Sequence, residues 1–348
     1  MTERTPEEKR ASVLAGIREI TGPDEHLVVD ARAKWNTCAK PLGSLGLLED
    51  QVVSLCAVKG TLSPDIGTRT AVLFCADNGV VEEGVTQTGS AVTRLVYDQL
   101  KLGRSSVNRM AAVAKAEVLP VDIGMAPKGT GNIAKGPAMT EDALFCALYE
   151  GMDLARRLTE EGNGLLIAGE MGIGNTTTSS AVAAVLLGKD PEEVTGKGAG
   201  LSVEGLAHKV EVIRKAIDVN RPDPAEPFEV LRTVGGYDLA GMCGLYLGGA
   251  LYGTPVIMDG FPSAVAALCA TRICPAACTA ILPSHVSAEP AGQMVLEAMG
   301  KQAPITAGMR LGEGTGGVAL LPLLDMVLAV FEEAYTFEEG GIEPYREL

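Results

Sequence analysis

The sequence has few aromatic residues and a deficit of basic charge, and these shortages exclude several classes of function. Phe, Trp and Tyr make up only 4% of the 348 residues, so the hydrophobic core is expected to consist mainly of aliphatic side chains. Asp and Glu number 44 against 29 Lys and Arg, which gives a formal net charge of -15. Because this charge repels polyanions at long range, neither nucleic acid nor an anionic membrane is an expected partner.

The sequence also has few residues suited to a metal or redox site. The 3 histidines have no metal-ligand spacing with one another, and the 8 cysteines form no CxxC pair. The closest group, Cys269, Cys274 and Cys278, could be considered for an iron–sulfur cluster, but small buried side chains explain it better. We therefore predict no metal and no cofactor. The first twenty residues lack a signal-peptide pattern, which favours a cytoplasmic protein with reduced thiols.

The longest uncharged run, residues 239–258, has the length of a membrane span. It contains 5 glycines and the break Gly253-Thr254-Pro255. Because glycine and proline interrupt regular structure, a buried helix, a turn and a buried strand are predicted here in place of a span.

From about residue 68, short apolar runs alternate with amphipathic stretches. Strands are predicted at residues 70–77, 116–124, 164–170, 254–260 and 276–284. Helices are predicted after them at residues 93–112, 140–161, 176–187, 263–272 and 288–299. This alternation predicts an α/β fold with a doubly wound, mostly parallel sheet that carries helices on both faces.

Polar or glycine-rich loops follow four of the predicted strands. Their sequences are CADNGV (75–80), GEMGIGNTTTSSA (169–181), MDGF (258–261) and SHVSAE (284–289). Since ligands of such sheets bind beyond the carboxyl ends of the strands, these loops are expected to meet at one edge and form a binding site there.

The loop at residues 169–181 has the features of an anion site. Gly172 and Gly174 permit a sharp turn, and Asn175 or Thr176 can cap a helix whose free N–H groups face a ligand. The loop lacks the lysine of a Walker motif and the third glycine of a dinucleotide fingerprint. A plain capped turn is the alternative explanation.

A second glycine-rich loop, GKGAGLS (196–202), contains Lys197, and Lys209 follows about two helical turns later. Two such loops with lysines predict a single phosphate held from two sides. Solvated surface lysines would be the alternative.

The stretch LGEGTGG (311–317) places one carboxylate, Glu313, among glycines. Glycine permits turns that other residues resist and lets the backbone approach a ligand closely. The stretch is therefore either an acidic surface turn or a loop that presents Glu313 to a substrate.

Eight motifs occur in a recognisable order along the chain: KPLGSLGLLE, ADNGVVEEGV, GEMGIGNTTTSSA, GKGAGL, GGYDLAGMCG, VIMDGF, SHVSAE and RLGEGTGGVALLPLL. In this order and close to this form, from about residue 33 to about residue 330, they resemble the nicotinate-nucleotide:dimethylbenzimidazole phosphoribosyltransferase family. The family makes the lower-ligand nucleotide of cobamides.

The resemblance implies a Rossmann-like α/β domain at residues 61–304 and a small helical domain formed by residues 1–60 with about 305–348. It also implies a dimer whose cleft is completed by the partner subunit. A homodimer is expected, and a heterodimer with a paralogue is the alternative.

The resemblance also assigns site residues. Glu313 matches the family's catalytic base, and Glu170 matches a second active-site carboxylate. Residues matching the region that holds the nucleotide and its phosphate are Gly174, Asn175, Thr176, Gly198, Lys209 and Ser287. Residues expected at the base pocket are Asp77, Asn78, Ser90 and Leu311, and Glu289 also falls in a motif that lines the cleft.

The expected reaction transfers phosphoribose from nicotinate mononucleotide to an aromatic base, giving an α-ribotide and nicotinate. The pyridinium leaving group is neutralised by the electrons of the broken bond, so no general acid is needed. A carboxylate such as Glu313 can accept the proton of the attacking base. A second carboxylate such as Glu170 would stabilise the cationic ribosyl group.

The chain departs from the family near the expected base pocket. Asn78 replaces the usual His, Gly89 and Ser90 replace Pro-Gln, and Ala291 and Gly292 replace Gly-His. Neutral drift would explain these changes, and so would a changed acceptor.

Four hypotheses therefore stand at this point. They are an active phosphoribosyltransferase using dimethylbenzimidazole or a similar base, the same enzyme with a phenol such as p-cresol or a purine as acceptor, a weakly active subunit of a heterodimer, and an unrelated nucleotide-binding protein. Retention of Glu313, Glu170 and the phosphate loops argues against the third, and the absent nucleotide-binding motifs argue against the fourth.

Overall fold

The computed structural model describes residues 4–345, whose centre is a five-stranded, all-parallel sheet. The strands are β1 (Arg69–Ala76), β2 (Glu117–Gly124), β3 (Leu165–Met171), β4 (Val256–Met258) and β5 (Ile281–Pro283). Their order across the sheet is β2-β1-β3-β4-β5. The chain thus builds outward in both directions from the β1–β3 pair, which confirms the predicted doubly wound α/β fold.

Helices cover both faces of the sheet. Those preceding β3 are α1 (Pro6–Glu19), α2 (Glu25–Thr37), α3 (Leu47–Lys59), α4 (Ala91–Lys101), α5 (Ser106–Val113) and α6 (Glu141–Glu160). Those following β3 are α7 (Asn175–Leu187), α8 (Pro191–Val194), α9 (Val203–Asn220), α10 (Pro227–Val234), α11 (Tyr237–Tyr252), α12 (Phe261–Ile273), α13 (Gly292–Ala298), α14 (Thr315–Glu333) and α15 (Phe337–Gly340). Two 3-10 turns, Gly79–Glu83 and Pro275–Ala280, complete the described elements.

Alternating side chains of the strands feed two separate cores. On β1, Val72 and Phe74 face a core shared with helices such as α6, α7, α11 and α12. Ala71 and Leu73 face the opposite core, which is shared with α2, α3, α5 and α14. Because successive residues of a strand point to opposite faces, an unbroken apolar run such as that of β1 is explained by burial on both sides.

Most predicted elements are confirmed, with four main differences of extent. The predicted strand 254–260 is reduced to the three residues of β4. The predicted helix 93–112 is two helices, because Gly103 takes up a left-handed turn and Ser105 starts α5 with a capping box. The predicted strand 276–284 is reduced to β5, because residues from Pro275 onward form a 3-10 turn. The last predicted helix starts at Gly292, since Pro290 keeps the preceding residue out of helical conformation.

The uncharged run at residues 239–258 forms α11, a left-handed turn at Gly253 and β4, as predicted. One helix in the described part of the chain, α14, is long and apolar enough by composition to cross a membrane. Half of its apolar window is buried inside the protein, where it packs against the sheet.

Segments from both chain ends meet on the α14 side of the sheet. Trp35 of α2 packs on Phe331 of α14, with ring centroids 4.8 Å apart. Arg69, at the start of β1, donates two hydrogen bonds to Asp325 of α14, at 2.7 and 2.8 Å. By contrast, α1 packs on α6 across the opposite face, where Lys9 and Glu150 form an ion pair.

The division into residues 61–304 and a small unit of residues 1–60 with 305–348 stays a prediction. Its outermost residues, 1–3 and 346–348, lie outside the described part of the chain.

Candidate active site

A cavity of about 270 Å³ opens at the carboxyl edge of the sheet. Its wall includes the carboxyl end of β3 and residues from the loops that follow β1, β4 and β5, together with residues 197–199, 201 and 310–313. Three of the four predicted strand-end loops therefore contribute to the same region, whereas after β1 the wall is formed by residues 85–88, beyond the predicted stretch 75–80. The cavity lies beside the β1–β3 pair from which the sheet is wound. This is the position at which open α/β sheets bind ligands.

Glu313 reaches the cavity from an unusual backbone conformation. Gly312, Glu313 and Gly314 all have left-handed backbones, with φ of 79°, 57° and 75°. A non-glycine residue in this region is uncommon and needs support from its surroundings. The two flanking glycines allow the turn, and the turn places Glu313 in the cavity wall at the start of α14.

The support comes from Asp259, the residue after β4. Its carboxylate accepts hydrogen bonds from the backbone N–H groups of Gly314, Gly316 and Gly317, at 3.0, 2.6 and 3.1 Å. A Cβ on Gly316 would overlap Nδ1 of His285, so the close approach of the helix requires glycine there. The glycine spacing of the motif thus follows from how closely α14 begins against the strand ends.

Glu170, at the end of β3, is almost completely buried beside this loop. A Cβ on Gly312 would lie only 2.7 Å from Oε1 of Glu170, and the side-chain amide of Asn175 donates to Oε2. Burial, followed by repulsion from Asp238, Asp259 and Glu313, raises the pKa of Glu170 well above its usual range.

Glu313 is also affected. Its pKa is raised first by burial and then by the charge of Asp259. Because Glu170 is the more deeply buried, it holds its proton more strongly, and a cationic ligand in the cavity would favour its ionised form.

Lys209 of α9 also lines the cavity and is fully buried. Its ammonium group donates to Oγ1 of Thr176 at 2.9 Å and to the carbonyl of Gly196 at 3.2 Å. Burial lowers its pKa to about 8, and the neighbouring Glu289 opposes that shift. The two glycine-rich loops predicted to hold a phosphate therefore meet at this lysine, while Lys197 is exposed at the rim.

The start of α7 differs from the prediction that Asn175 or Thr176 caps it. The N-cap position is Gly174, and no side chain caps the helix. The side chain of Asn175 instead bonds Glu170, and the hydroxyl of Thr176 accepts from Lys209. The helix N-terminus is thus left without a side-chain cap next to the cavity, which suits an anionic ligand.

Glu289 is a half-buried carboxylate close to the positive charges of Lys209 and Arg310. A Cβ on Gly196 would overlap its Oε2, so the loop leaves room only for glycine. Burial raises the pKa of Glu289, while Lys209 and Arg310 lower it. Arg310 lies in the cavity wall and was not singled out from the sequence.

Most predicted site residues line the cavity. They are Glu170, Gly174, Asn175, Thr176, Gly198, Lys209, Ser287, Glu289, Leu311 and Glu313. The expected base-pocket residues Asp77, Asn78 and Ser90 lie outside its wall.

The side chains of Asp77 and Asn78 bond groups that lie outside the cavity wall. A carboxylate oxygen of Asp77 accepts from the N–H of Ala126 at 2.7 Å, and the Asn78 amide donates to Asp238 at 3.5 Å. A Cβ on Gly174 would lie 3.1 Å from that of Asn78, so Asn78 packs against the loop that leads into α7. The replacement of His by Asn78 therefore lies behind the loop at residues 172–174 and not in the cavity wall.

The other departures have different surroundings. A Cβ added at Gly89 would meet no atom within 4 Å. Ser90 is the N-cap of α4. Ala291 is fully buried, and a Cβ on Gly292 would lie 2.5 Å from the carbonyl oxygen of Ser287. A larger residue at position 292 would therefore require the backbone near Ser287 to move.

The loop after β1 contributes residues that sequence reasoning missed. Residues 85–88 line the cavity, and Gln87 donates across it to the carbonyl of Gly200. Asp259 and His285 were also missed, although each belongs to a quoted motif after a strand. A charged or polar residue directly after a buried strand was the signal available for both. Within residues 4–345, no group of three His, Cys, Asp or Glu side chains has metal-binding geometry.

Comparisons with known proteins agree over nearly the whole chain. A family model described as phosphoribosyltransferase (DBI_PRT) matches residues 20–342. A nicotinate-nucleotide–dimethylbenzimidazole phosphoribosyltransferase from Ruminiclostridium cellulolyticum is 44% identical over 331 residues, 91% of this chain and 94% of the relative. A protein of the same name from Acetivibrio thermocellus is 42% identical over 326 residues, 90% of this chain and 93% of the relative.

A solved structure of the same family matches the fold of this chain. CobT from Thermus thermophilus superposes with a TM-score of 0.86 at 36% identity, covering 92% of this chain and 100% of that one. The family model spans every residue of the cavity wall.

Proposed function

The chain belongs to the nicotinate-nucleotide–dimethylbenzimidazole phosphoribosyltransferase family, and from this premise we propose how its cavity carries out phosphoribosyl transfer. The donor is nicotinate mononucleotide, the acceptor is an aromatic lower-ligand base, and the products are the α-ribotide and nicotinate for cobamide biosynthesis. The observation that carries the proposal is that a single cavity is lined by a buried lysine, Lys209, and by two carboxylates, Glu170 and Glu313.

The donor phosphate is placed at Lys209 and the start of α7. The ammonium group and the uncapped helix N-terminus both favour an anion, and Arg310 adds a second positive charge at the wall. Glu289 lies close to Lys209 and Arg310, so its negative charge partly offsets their attraction for a bound phosphate.

The reacting carbon then lies toward the carboxylates. A ring nitrogen of the acceptor forms a bond to the anomeric carbon from the face opposite the pyridinium, which inverts a β-riboside to an α-riboside. The electrons of the broken bond neutralise the pyridinium, and the acceptor's other ring nitrogen gives its proton to Glu313. Glu170 releases its proton to solvent when the cationic donor binds, and its carboxylate then stabilises the ribosyl cation.

We propose benzimidazoles as acceptors, with a range that extends to phenols. In the loop after β1, the cavity is lined by Thr86, Gln87 and Thr88. Ser90 lies at the end of that loop, and its side chain is shorter than the Gln that the family usually has there. A phenol attacks through the oxygen that carries its proton, so proton transfer to Glu313 must be concerted with attack. We further propose a cytoplasmic homodimer, and Leu311, 56% exposed at the cavity rim, suits a cleft completed by a partner subunit.

The proposed function is tested by incubating the protein with nicotinate mononucleotide and a panel of acceptor bases while nicotinate release and ribotide formation are measured. Glu313→Gln keeps the size of the side chain and removes the proton acceptor, so a loss of about 10² to 10⁴-fold in kcat is expected. Binding of nicotinate mononucleotide to the variant serves as the control. Absence of nicotinate release by the native protein with every acceptor would reject the function, and full turnover by the variant would reject the role of Glu313.

A further inference from the structure

We infer that Asp259 is a positioning residue whose carboxylate, bound to the start of α14, holds Glu313 in place against Glu170. The inference rests on the proposed function, because it gives Asp259 a part in the reaction in which Glu313 accepts a proton. It assigns a task to a buried acid that does not itself line the cavity.

The hydrogen bonds of Asp259 are divided between two tasks. Oδ1 accepts from Gly316 and Gly317 in the first turn of α14, whereas Oδ2 accepts from Gly314, the residue directly after Glu313. None of the ion pairs among residues 4–345 involves Asp259, so its charge is balanced by the backbone dipoles of this helix start. One oxygen therefore anchors the helix and the other anchors the turn that carries Glu313.

The turn needs such an anchor. Glu313 is one of three described non-glycine residues with a positive φ, and its neighbours Gly312 and Gly314 share the left-handed conformation. Glycine neighbours are flexible when nothing holds them, because they lose more conformational freedom on ordering than other residues. Within the turn, the carbonyl of Gly312 accepts from the N–H and the hydroxyl of Thr315, at 3.1 and 2.7 Å, whereas the bond from the Gly314 N–H to Asp259 ties the turn to the end of β4.

Asp259 also acts on Glu313 through its charge. The ionisable groups that face Glu313 from the surrounding elements are Glu170 on β3, Asp259 after β4, His285 after β5, Arg310 in the preceding loop and Cys75 on β1. After burial, the charge of Asp259 is the main factor that raises the pKa of Glu313. Removing that charge would lower the pKa of Glu313 and extend its ionised form to lower pH.

The central experiment compares Asp259→Asn with the native protein in nicotinate release across a pH series. The amide of Asn retains one acceptor oxygen, and its NH2 group cannot accept from the remaining backbone N–H. We expect kcat to fall by about 10²-fold, as for a small misplacement of a catalytic group, while the KM for nicotinate mononucleotide changes little. The acid limb of kcat/KM should move to lower pH, which a purely structural defect would not produce.

Asp238→Asn is the matched control. Asp238 is another fully buried carboxylate at the same edge, and it raises the pKa of Glu170, but it makes no bond to the Glu313 turn. Loss of the Asp238 charge lowers the pKa of Glu170 but leaves that of Glu313, so an acid limb set by Glu313 should stay at the native position, whereas a limb set by Glu170 would move. A shift of the same size in both variants would overturn the specific link between Asp259 and Glu313.

Asp259→Glu provides a second test that covers failure of the first variant to fold. It retains the charge and displaces the oxygens by one methylene, so kcat should fall while the acid limb stays where it is in the native protein. Native kcat in either variant, or an unshifted acid limb in folded Asp259→Asn, would overturn the inference. These outcomes are distinct from failure of the proposed function, which would appear as an inactive native protein.

Discussion

The buried Lys209 predicts how donor binding should depend on pH. Its pKa is about 8, so the free protein loses the positive charge of this side chain just above neutral pH. The lysine is about 90% protonated near pH 7 and about 10% near pH 9, a roughly ninefold decrease. The donor phosphate, with a second pKa of about 6, stays doubly charged throughout this range.

The consequence should appear in kcat/KM, which reports ionisations of the free enzyme. We expect kcat/KM for nicotinate mononucleotide to fall about ninefold between about pH 7 and about pH 9, almost entirely through a rise in KM. Bound phosphate raises the pKa of Lys209 again, so kcat at saturating donor should change little over the same range. Nicotinate release at a fixed, saturating concentration of dimethylbenzimidazole measures both quantities.

Two variants identify the lysine responsible. Lys209→Met removes a charge-assisted hydrogen bond worth roughly 1.5–3 kcal/mol, so kcat/KM should fall by about 10 to 150-fold and lose its basic limb. Lys197→Met, at the exposed lysine of the same cavity wall, should retain the limb near its native position. A native protein without a basic limb in this range, or a Lys209→Met variant that keeps it, would refute the reasoning.

Two further predictions concern the turn at Glu313 and the choice of acceptor. Gly312→Ala should reduce kcat by about 10 to 10²-fold, because the new Cβ would meet Oε1 of Glu170 and φ is 79°; Gly308→Ala, with φ of 65° and open space, is the control that should stay active. Ser90→Gln should lower the use of p-cresol relative to dimethylbenzimidazole in a competition assay, and an unchanged product ratio would remove Ser90 from acceptor choice.

The fold was largely predictable because its signals are local. Burial on both faces makes β1 and β3 continuous apolar runs, and each run is followed by a long helical pattern. The short strands β4 and β5 were located but overextended, since three paired residues leave little pattern of their own. The break between α4 and α5 required the turn at Gly103, whose left-handed conformation the helical periodicity did not reveal.

The candidate site was predictable to the level of loops and only partly to the level of side-chain direction. The position of Glu170 after a buried strand and of Glu313 among glycines indicated a site, and both line the cavity. Asp77 and Asn78 follow β1 directly, but their side chains bond Ala126 and Asp238, which lie outside the cavity wall. Asp259 was missed because its partners are backbone N–H groups of a helix that begins more than fifty residues later.

Helix α14 is tied to the sheet at two points, by Asp259 at its start and by Arg69, which bonds Asp325 in its middle. A helix held in this way cannot fray from the end that follows Glu313 unless β4 also unfolds. Gradual heating should therefore leave turnover intact until the sheet itself melts, with inactivation and loss of helical signal in the same transition. Thermal tolerance of the activity would then be improved by substitutions anywhere in the two cores, without redesign of the reactive loop.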